Sequence, residues 1–166
     1  MSDTANHGLH IFADGCFDPV SRRGGWAFVV YRDGAEIASD FGGTANTSNN
    51  AMEAAALLRA IIWIDSNVAG ENPVIWSDSF YAVMGCNDWL PIWKANGWKK
   101  IDPNPNARRR TITNMEIWKE IDTRLCRNPP IKILWCKGHA GITGNERADD
   151  LADHGCKSIA HAQLSK

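Results

Sequence analysis

Three short apolar runs open the chain, and helix-length apolar repeats follow. LHIFADG (9–15) predicts a short strand that ends in an acid, Asp14, and a turn glycine. GGWAFVVYRDG (24–34) and AEIASDFGG (35–43) predict two more strands, joined by Asp33-Gly34, a strong hairpin signal. TSNNAMEAAALLRAIIWIDS (47–66) is rich in helix-favouring Ala, Leu and Met, and its Thr, Ser and Asn residues offer N-caps. A proline introduces PVIWSDS (73–79), a compact strand pattern that again ends in an aspartate, Asp78. FYAVMGC (80–86) and DWLPIWKANGWKK (88–100) predict short helices, and IDPNPNARRR (101–110) a loop. TNMEIWKEIDTRLC (113–126) predicts a helix, IKILWCKG (131–138) a strand, and a last helix is expected to open after Gly144. In that helix Ala148, Leu151, Ala152, Gly155 and Ile159 fall on one core-facing stripe. The order βββαβ(αα)αβα predicts an α/β protein with a five-stranded mixed sheet, an antiparallel meander followed by parallel strands, flanked by helices. With no linker or repeat in view, the expectation is a single domain over 1–166, with its core at about 9–157 and short polar tails.

Composition changes this picture little. The chain has 166 residues, 44% of them hydrophobic, enough for the core of one domain. MSDTANHGLH lacks a charged-then-apolar leader, and no apolar run approaches the roughly 18 residues of a membrane span. The expectation is a soluble, cytoplasmic monomer with no membrane association and no obligate protein partner. Cysteines at 16, 86, 126, 136 and 156 form no C-x-x-C pair, so neither a disulfide framework nor a zinc site is suggested. Charge is more informative. Residues 1–93 hold 4 Lys/Arg against 11 Asp/Glu, whereas residues 94–137 hold 11 against 4. Such segregation suits a polyanion on one surface and cations on another, although composition alone is equally compatible with a solvated charged face.

Four acids carry the candidate chemistry. Asp14 and Asp78 close predicted strands, where open α/β sheets place their ligands, and parallel neighbours about 5 Å apart would set the two carboxylates face to face. Glu53 falls in the first turn of the long helix, where an anion also suits the helix dipole; taken alone, it is read better that way. Asp149 lies at the edge of the apolar stripe and looks into a site at the core margin, while Asp150, almost opposite the stripe, faces water. Thr143 and Glu146 have the spacing of a capping box that would fix the start of this helix. Four converging carboxylates repel one another unless cations neutralise them. Two hard divalent ions roughly 4 Å apart are a solution that also serves in-line phosphoryl displacement. The absence of a cysteine partner favours magnesium or manganese over zinc.

In order and spacing these residues resemble the type I bacterial ribonuclease H family. FADG carries the first aspartate, NNAME the glutamate, SDSFYAV the second aspartate, and KGHAGITGNERADDLA the histidine and last aspartate. The match runs from about Leu9 to about Lys157; each motif alone is weak, and the four in sequence are specific. The resemblance implies a ribonuclease H-like fold and an endonuclease that hydrolyses the RNA strand of RNA–DNA hybrids. It further implies that Asp14, Glu53, Asp78 and Asp149 bind two Mg²⁺, with Mn²⁺ as a substitute. These ions would activate the attacking water and leave 5′-phosphate and 3′-hydroxyl ends. His139, on a glycine-flanked loop, would assist proton transfer or product departure; alone it is as readily a surface histidine.

The same resemblance assigns a substrate surface. Asn49 and Asn50 match positions that meet the minor groove, Cys16 and Phe80 are neighbouring contacts, and Ser48 and Asn114 match a pocket for a phosphate of the DNA strand. DWLPIWKANGWKK resembles the family's basic protrusion, where Lys94, Lys99 and Lys100 would give salt-dependent affinity. Trp89, Trp93 and Trp98 would brace that element or lie along the DNA backbone, with bracing favoured. Some features depart from the family. DGCFDPVSRRGGW replaces a glycine- and asparagine-rich loop, leaving Arg22 and Arg23 as candidate phosphate contacts in place of a missing asparagine. Phe80 stands where a polar or thioether side chain is common. The insertion NPNARRR, with Arg108, Arg109 and Arg110, offsets a protrusion poor in lysine. No hybrid-binding domain precedes the catalytic region, so modest processivity is expected. Two other functions compete, a junction resolvase and a non-catalytic nucleic-acid-binding module. NNAME and the tryptophan-rich segment argue against the first, and the presence of all four acids against the second.

Overall fold

Strands β1 (Leu9–Asp18), β2 (Arg23–Arg32), β3 (Ala35–Thr44), β4 (Val74–Ser77) and β5 (Lys132–Trp135) form one sheet in the order β3-β2-β1-β4-β5. The computed structural model describes residues 7–101, 104, 106, 111–128 and 130–164, the last five by backbone only. Arg108, Arg109 and Arg110 therefore lie outside the described residues. β1, β2 and β3 pair antiparallel, and β1, β4 and β5 pair parallel, the mixed sheet that the sequence pattern predicts. Helix α1 (Asn49–Asn67) follows the meander, α4 (Met115–Arg127) precedes β5, and α5 (Thr143–Leu164) follows it. Between β4 and α4, α2 (Phe80–Met84), a π-helical turn (Gly85–Trp89) and α3 (Leu90–Ala95) run on without a break, where two separate helices were expected.

Strand periodicity sorts the core into two layers. Trp26, Phe28 and Val30 of β2 join Ile11, Ala13 and Ile75 beneath α1 and α4, where Leu57, Ile61, Trp118 and Ile121 are buried. The alternate residues Ala27 and Val29 meet Ala148, Leu151 and Ala152 of α5 on the opposite face. The predicted stripe of α5 is thus the buried one. Its seat is unusually close: a methyl at Gly25 would lie 2.0 Å from the Ala152 carbonyl oxygen, and one at Gly43 2.2 Å from that of Gly155. Bare backbone on both sides lets helix and sheet touch directly, which fixes the height at which Asp149 stands.

Three boundaries differ from expectation, each for a local reason. Asp14 does not end β1. The strand continues to Asp18 because β2 pairs with it throughout, from Leu9↔Arg32 to Asp18↔Arg23, well beyond the last parallel pair with β4, Phe12↔Trp76. β5 stops at Trp135, although the backbone N–H of Cys136 still donates to the Ser77 carbonyl at 3.0 Å. The capping box does not form. α5 already includes Thr143, and the Glu146 carboxylate accepts instead from the N–H of Gly141 at 3.1 Å.

Candidate metal centre

The register that pairs Phe12 with Trp76 puts Asp14, two residues further along β1, beside Asp78, which follows β4 directly. Glu53 arrives from the second turn of α1 and not the first as expected, because the helix already begins at Asn49. Ser48 caps that helix, its Oγ accepting from the Ala51 N–H at 3.2 Å. Gly15 then lets the helix approach, since a methyl there would lie 2.7 Å from the backbone nitrogen of Glu53. The Gly15 N–H ties two acids together, donating to Asp14 Oδ1 at 2.9 Å and to Glu53 Oε2 at 3.2 Å. One oxygen from each of Asp14, Glu53 and Asp78 falls within 4.8 Å of the others.

This grouping is electrostatically expensive. Asp14 is 4% and Glu53 7% exposed, and among the described residues no lysine or arginine forms an ion pair with the three acids. At an effective dielectric near 20, two carboxylates no more than 4.8 Å apart repel by about 3 kcal/mol or more. Burial, reinforced by Asp78 and Asp149, pushes the Asp14 carboxyl up to about 8. Burial, followed by the charges of Asp14 and Asp78, pushes Glu53 up to about 9. Asp149, half-buried on α5, is near enough to Asp14 to help raise its carboxyl, although it lies outside the group of three. Asp150 is exposed, as the helix phase predicts. Such an all-oxygen cluster fits a hard divalent cation, which would replace the protons that Asp14 and Glu53 otherwise retain.

His139 is exposed, with φ 50°, on the loop after β5. The residue before it touches the cluster, for a methyl at Gly138 would lie 2.6 Å from Asp78 Oδ2. Two neighbours of Asp78 were not expected from the sequence. Asn145, 2% exposed, donates from Nδ2 to Asp78 Oδ2 at 3.1 Å. Trp135 donates from Nε1 to the Asp78 carbonyl at 3.2 Å and stacks on Phe80, ring centroids 5.0 Å apart. The spacing of Asn145 and Asp149, four apart on one helix face, was the available signal for the first.

The expected substrate positions scatter around this centre. Asn49 and Asn50 are exposed at the start of α1. Asn50 also lines a groove of about 590 Å³ with Tyr81, Trp89, Trp93, Lys100 and Ile112. The tryptophans brace one another: Trp89 packs on Trp93 and Tyr81, and Trp93 on the fully buried Trp118 of α4, with centroids 5.7 to 6.0 Å apart. Trp98 lies under the Lys119 ammonium. Asn114, in a left-handed conformation, donates from Nδ2 to the Tyr81 hydroxyl at 3.1 Å, and the Ser48 hydroxyl is engaged in its cap. Lys94 pairs with Asp122 at 3.0 Å, whereas Lys99 and Lys100 are exposed. The Cys16 thiol turns toward α5, 4.0 Å from Asp153 Oδ1, and burial and the neighbouring Cys156 push it up to about 12. Phe80 is 65% exposed.

The RNase H family pattern matches residues 6–157. A ribonuclease H of Cupriavidus necator is 39% identical over 90% of this chain and 95% of its own length. LC9-RNase H1, described as a type 1 RNase H with the type 2 active-site motif, superposes with a TM-score of 0.76 at 24% identity, covering 92% of this chain and 74% of that one. A foamy viral protease-reverse transcriptase solved in complex with an RNA/DNA hybrid superposes with a TM-score of 0.77 at 20% identity. There the match covers 95% of this chain but only 21% of the viral one.

Proposed function

Because the chain belongs to the ribonuclease H family, we propose that it is an endoribonuclease that hydrolyses the RNA strand of RNA–DNA hybrids at the Asp14–Glu53–Asp78–Asp149 centre. The observation that carries this function is the convergence of three carboxylates within 4.8 Å, two of them buried, with no lysine or arginine ion-paired to them among the described residues. These residues, with Asp149, would hold two divalent ions, Mg²⁺ or Mn²⁺. Bound there, the ions supply Lewis-acid stabilisation of the charge that builds on the phosphoryl oxygens as 5′-phosphate and 3′-hydroxyl ends form. The viral structure solved with a hybrid shares this fold, in keeping with the same class of substrate.

The chain's own groups do the rest. The Gly15 N–H holds Asp14 and Glu53 in register before any ion arrives. His139, exposed on its loop beside the cluster, exchanges a proton with the departing 3′ oxygen or helps product leave. Asn49 and Asn50 present amides to the minor groove, where the 2′-hydroxyl marks the RNA strand. Lys99 and Lys100 attract phosphates of the partner strand without regard to sequence. The groove between α1 and the braced tryptophans gives that strand a path.

A direct test incubates the protein and Mg²⁺ with a labelled hybrid, double-stranded RNA, double-stranded DNA or a four-way junction. Cleavage confined to the RNA of the hybrid is expected. Binding without cleavage in both Mg²⁺ and Mn²⁺ would overturn the proposal. Asp78→Asn should abolish turnover and leave hybrid affinity largely intact, because it removes a metal ligand and spares the phosphate contacts.

A further inference from the structure

The acids of the centre are not held alike. Asp14 and Glu53 share a backbone donor, the Gly15 N–H. Asp78 is held by a side chain, Asn145, whose Nδ2 reaches its Oδ2 at 3.1 Å. That amide is 98% buried at the start of α5, where the exposed fraction is only 2%, and its other end is also engaged: Oδ1 accepts from the Cys136 thiol at 3.6 Å. Cys136 is itself buried just beyond β5. A carboxylate can only accept, and a thiol is a weak donor, so the carboxylate sets the orientation of the amide and the thiol agrees with it. Gly138 closes the arrangement, since a methyl there would sit 2.6 Å from the same Asp78 oxygen. Oδ2 is thereby approached from two sides, by the Asn145 amide and by Gly138.

We propose that Asn145, oriented by the Cys136 thiol, is a positioning residue that fixes the rotation of the Asp78 carboxylate for ion binding. The inference rests on the metal-dependent function proposed above. An amide suits the task because it supplies a donor without a positive charge that would compete with the cation. Partners of this kind, hydrogen-bonded to a ligating carboxylate, typically alter metal affinity by about 10- to 100-fold.

Mn²⁺ binding measured by calorimetry without nucleic acid gives a readout independent of turnover, and the Mg²⁺ dependence of hybrid cleavage gives a second. Asn145→Leu keeps the volume and removes the donor. It should weaken Mn²⁺ binding by about 10-fold or more and raise the half-saturating Mg²⁺ concentration in parallel, with KM for the hybrid unchanged. Cys136→Ala should weaken binding by a few-fold, and Cys136→Ser, which keeps a donor, should restore it. A mere packing role predicts the reverse order, because a hydroxyl at a buried apolar position costs more than a methyl; melting temperatures record that order separately. Wild-type Mn²⁺ affinity in folded Asn145→Leu overturns the proposal. If Asn145→Leu does not fold, equal affinities for Cys136→Ala and Cys136→Ser overturn it instead. Failure of the wild-type protein to bind Mn²⁺ or to cleave a hybrid would refute the underlying function, a distinguishable outcome.

Discussion

Removing one charge from the centre should stabilise the metal-free fold while destroying its chemistry, and Asp14→Asn is the cleanest case. The Asp14 carboxyl is raised from 3.8 to about 8, foremost by burial and then by Asp78 and Asp149. A carboxyl raised in this way favours the fold only while protonated. Its contribution is fully present below about pH 4 and is lost as pH climbs through about 8. A rise from 3.8 to about 8, at 1.36 kcal/mol per pH unit, sets a ceiling of about 6 kcal/mol. The acids share that cost by sharing protons, and a single pair within 4.8 Å repels by about 3 kcal/mol or more. Asparagine keeps an oxygen for the Gly15 N–H, so a net gain of about 2 kcal/mol at pH 8 is expected. For a chain of this size that raises Tm by about 4–8 °C. Thermal unfolding followed by circular dichroism in EDTA, at pH 8 and again near pH 4.5, checks the claim. The gain should be large at pH 8 and shrink toward the acid end. Adding MgCl₂ should stabilise the wild type far more than the variant, since ligand binding to the native state alone raises its stability. A gain equal at both pH values, or none at pH 8, would refute the electrostatic account.

Two further outcomes follow from geometry. Gly25→Ala drives a methyl to 2.0 Å from the Ala152 carbonyl oxygen, so urea unfolding should show a loss of about 3 kcal/mol. Turnover should also fall at temperatures where the variant remains folded, because α5 carries Asp149; a loss within about 0.5 kcal/mol would mean that the helix seat yields easily. His139→Ala should slow hybrid cleavage by about 10²-fold or less, measured under single-turnover conditions. Loss as complete as in Asp78→Asn would contradict an auxiliary role.

Much of the centre was legible in the sequence because local patterns fix it. The apolar runs around Asp14 and Asp78 mark strands, and the mixed order of elements makes β1 and β4 parallel neighbours. The phase of the α5 stripe separates half-buried Asp149 from exposed Asp150. What escaped notice depends on partners far away in the chain. The outer half of β1, through Cys16 and Phe17, lacks an apolar alternation of its own and is extended because β2 pairs with it. Asn145 reads as an ordinary polar residue near a helix start until Asp78, 67 positions earlier, is brought to its amide. Trp135 likewise reads as core until Phe80 is found stacked on it near the surface. The capping box failed for a subtler reason, since α5 begins early enough to include Thr143 and leaves Glu146 to the Gly141 N–H.

The direct backbone seating of α5 on β2 and β3 also sets a timetable. Asp149 is the last of the four acids to be synthesised, and its helix can dock only on a meander whose bare glycines are already in place. A growing chain that has emerged only as far as β5 carries Asp14, Glu53 and Asp78 without their fourth partner. It also lacks Asn145, which arrives on the same helix to steady Asp78. Asp149 and Asn145 therefore reach the proposed centre only once α5 has been made and has docked.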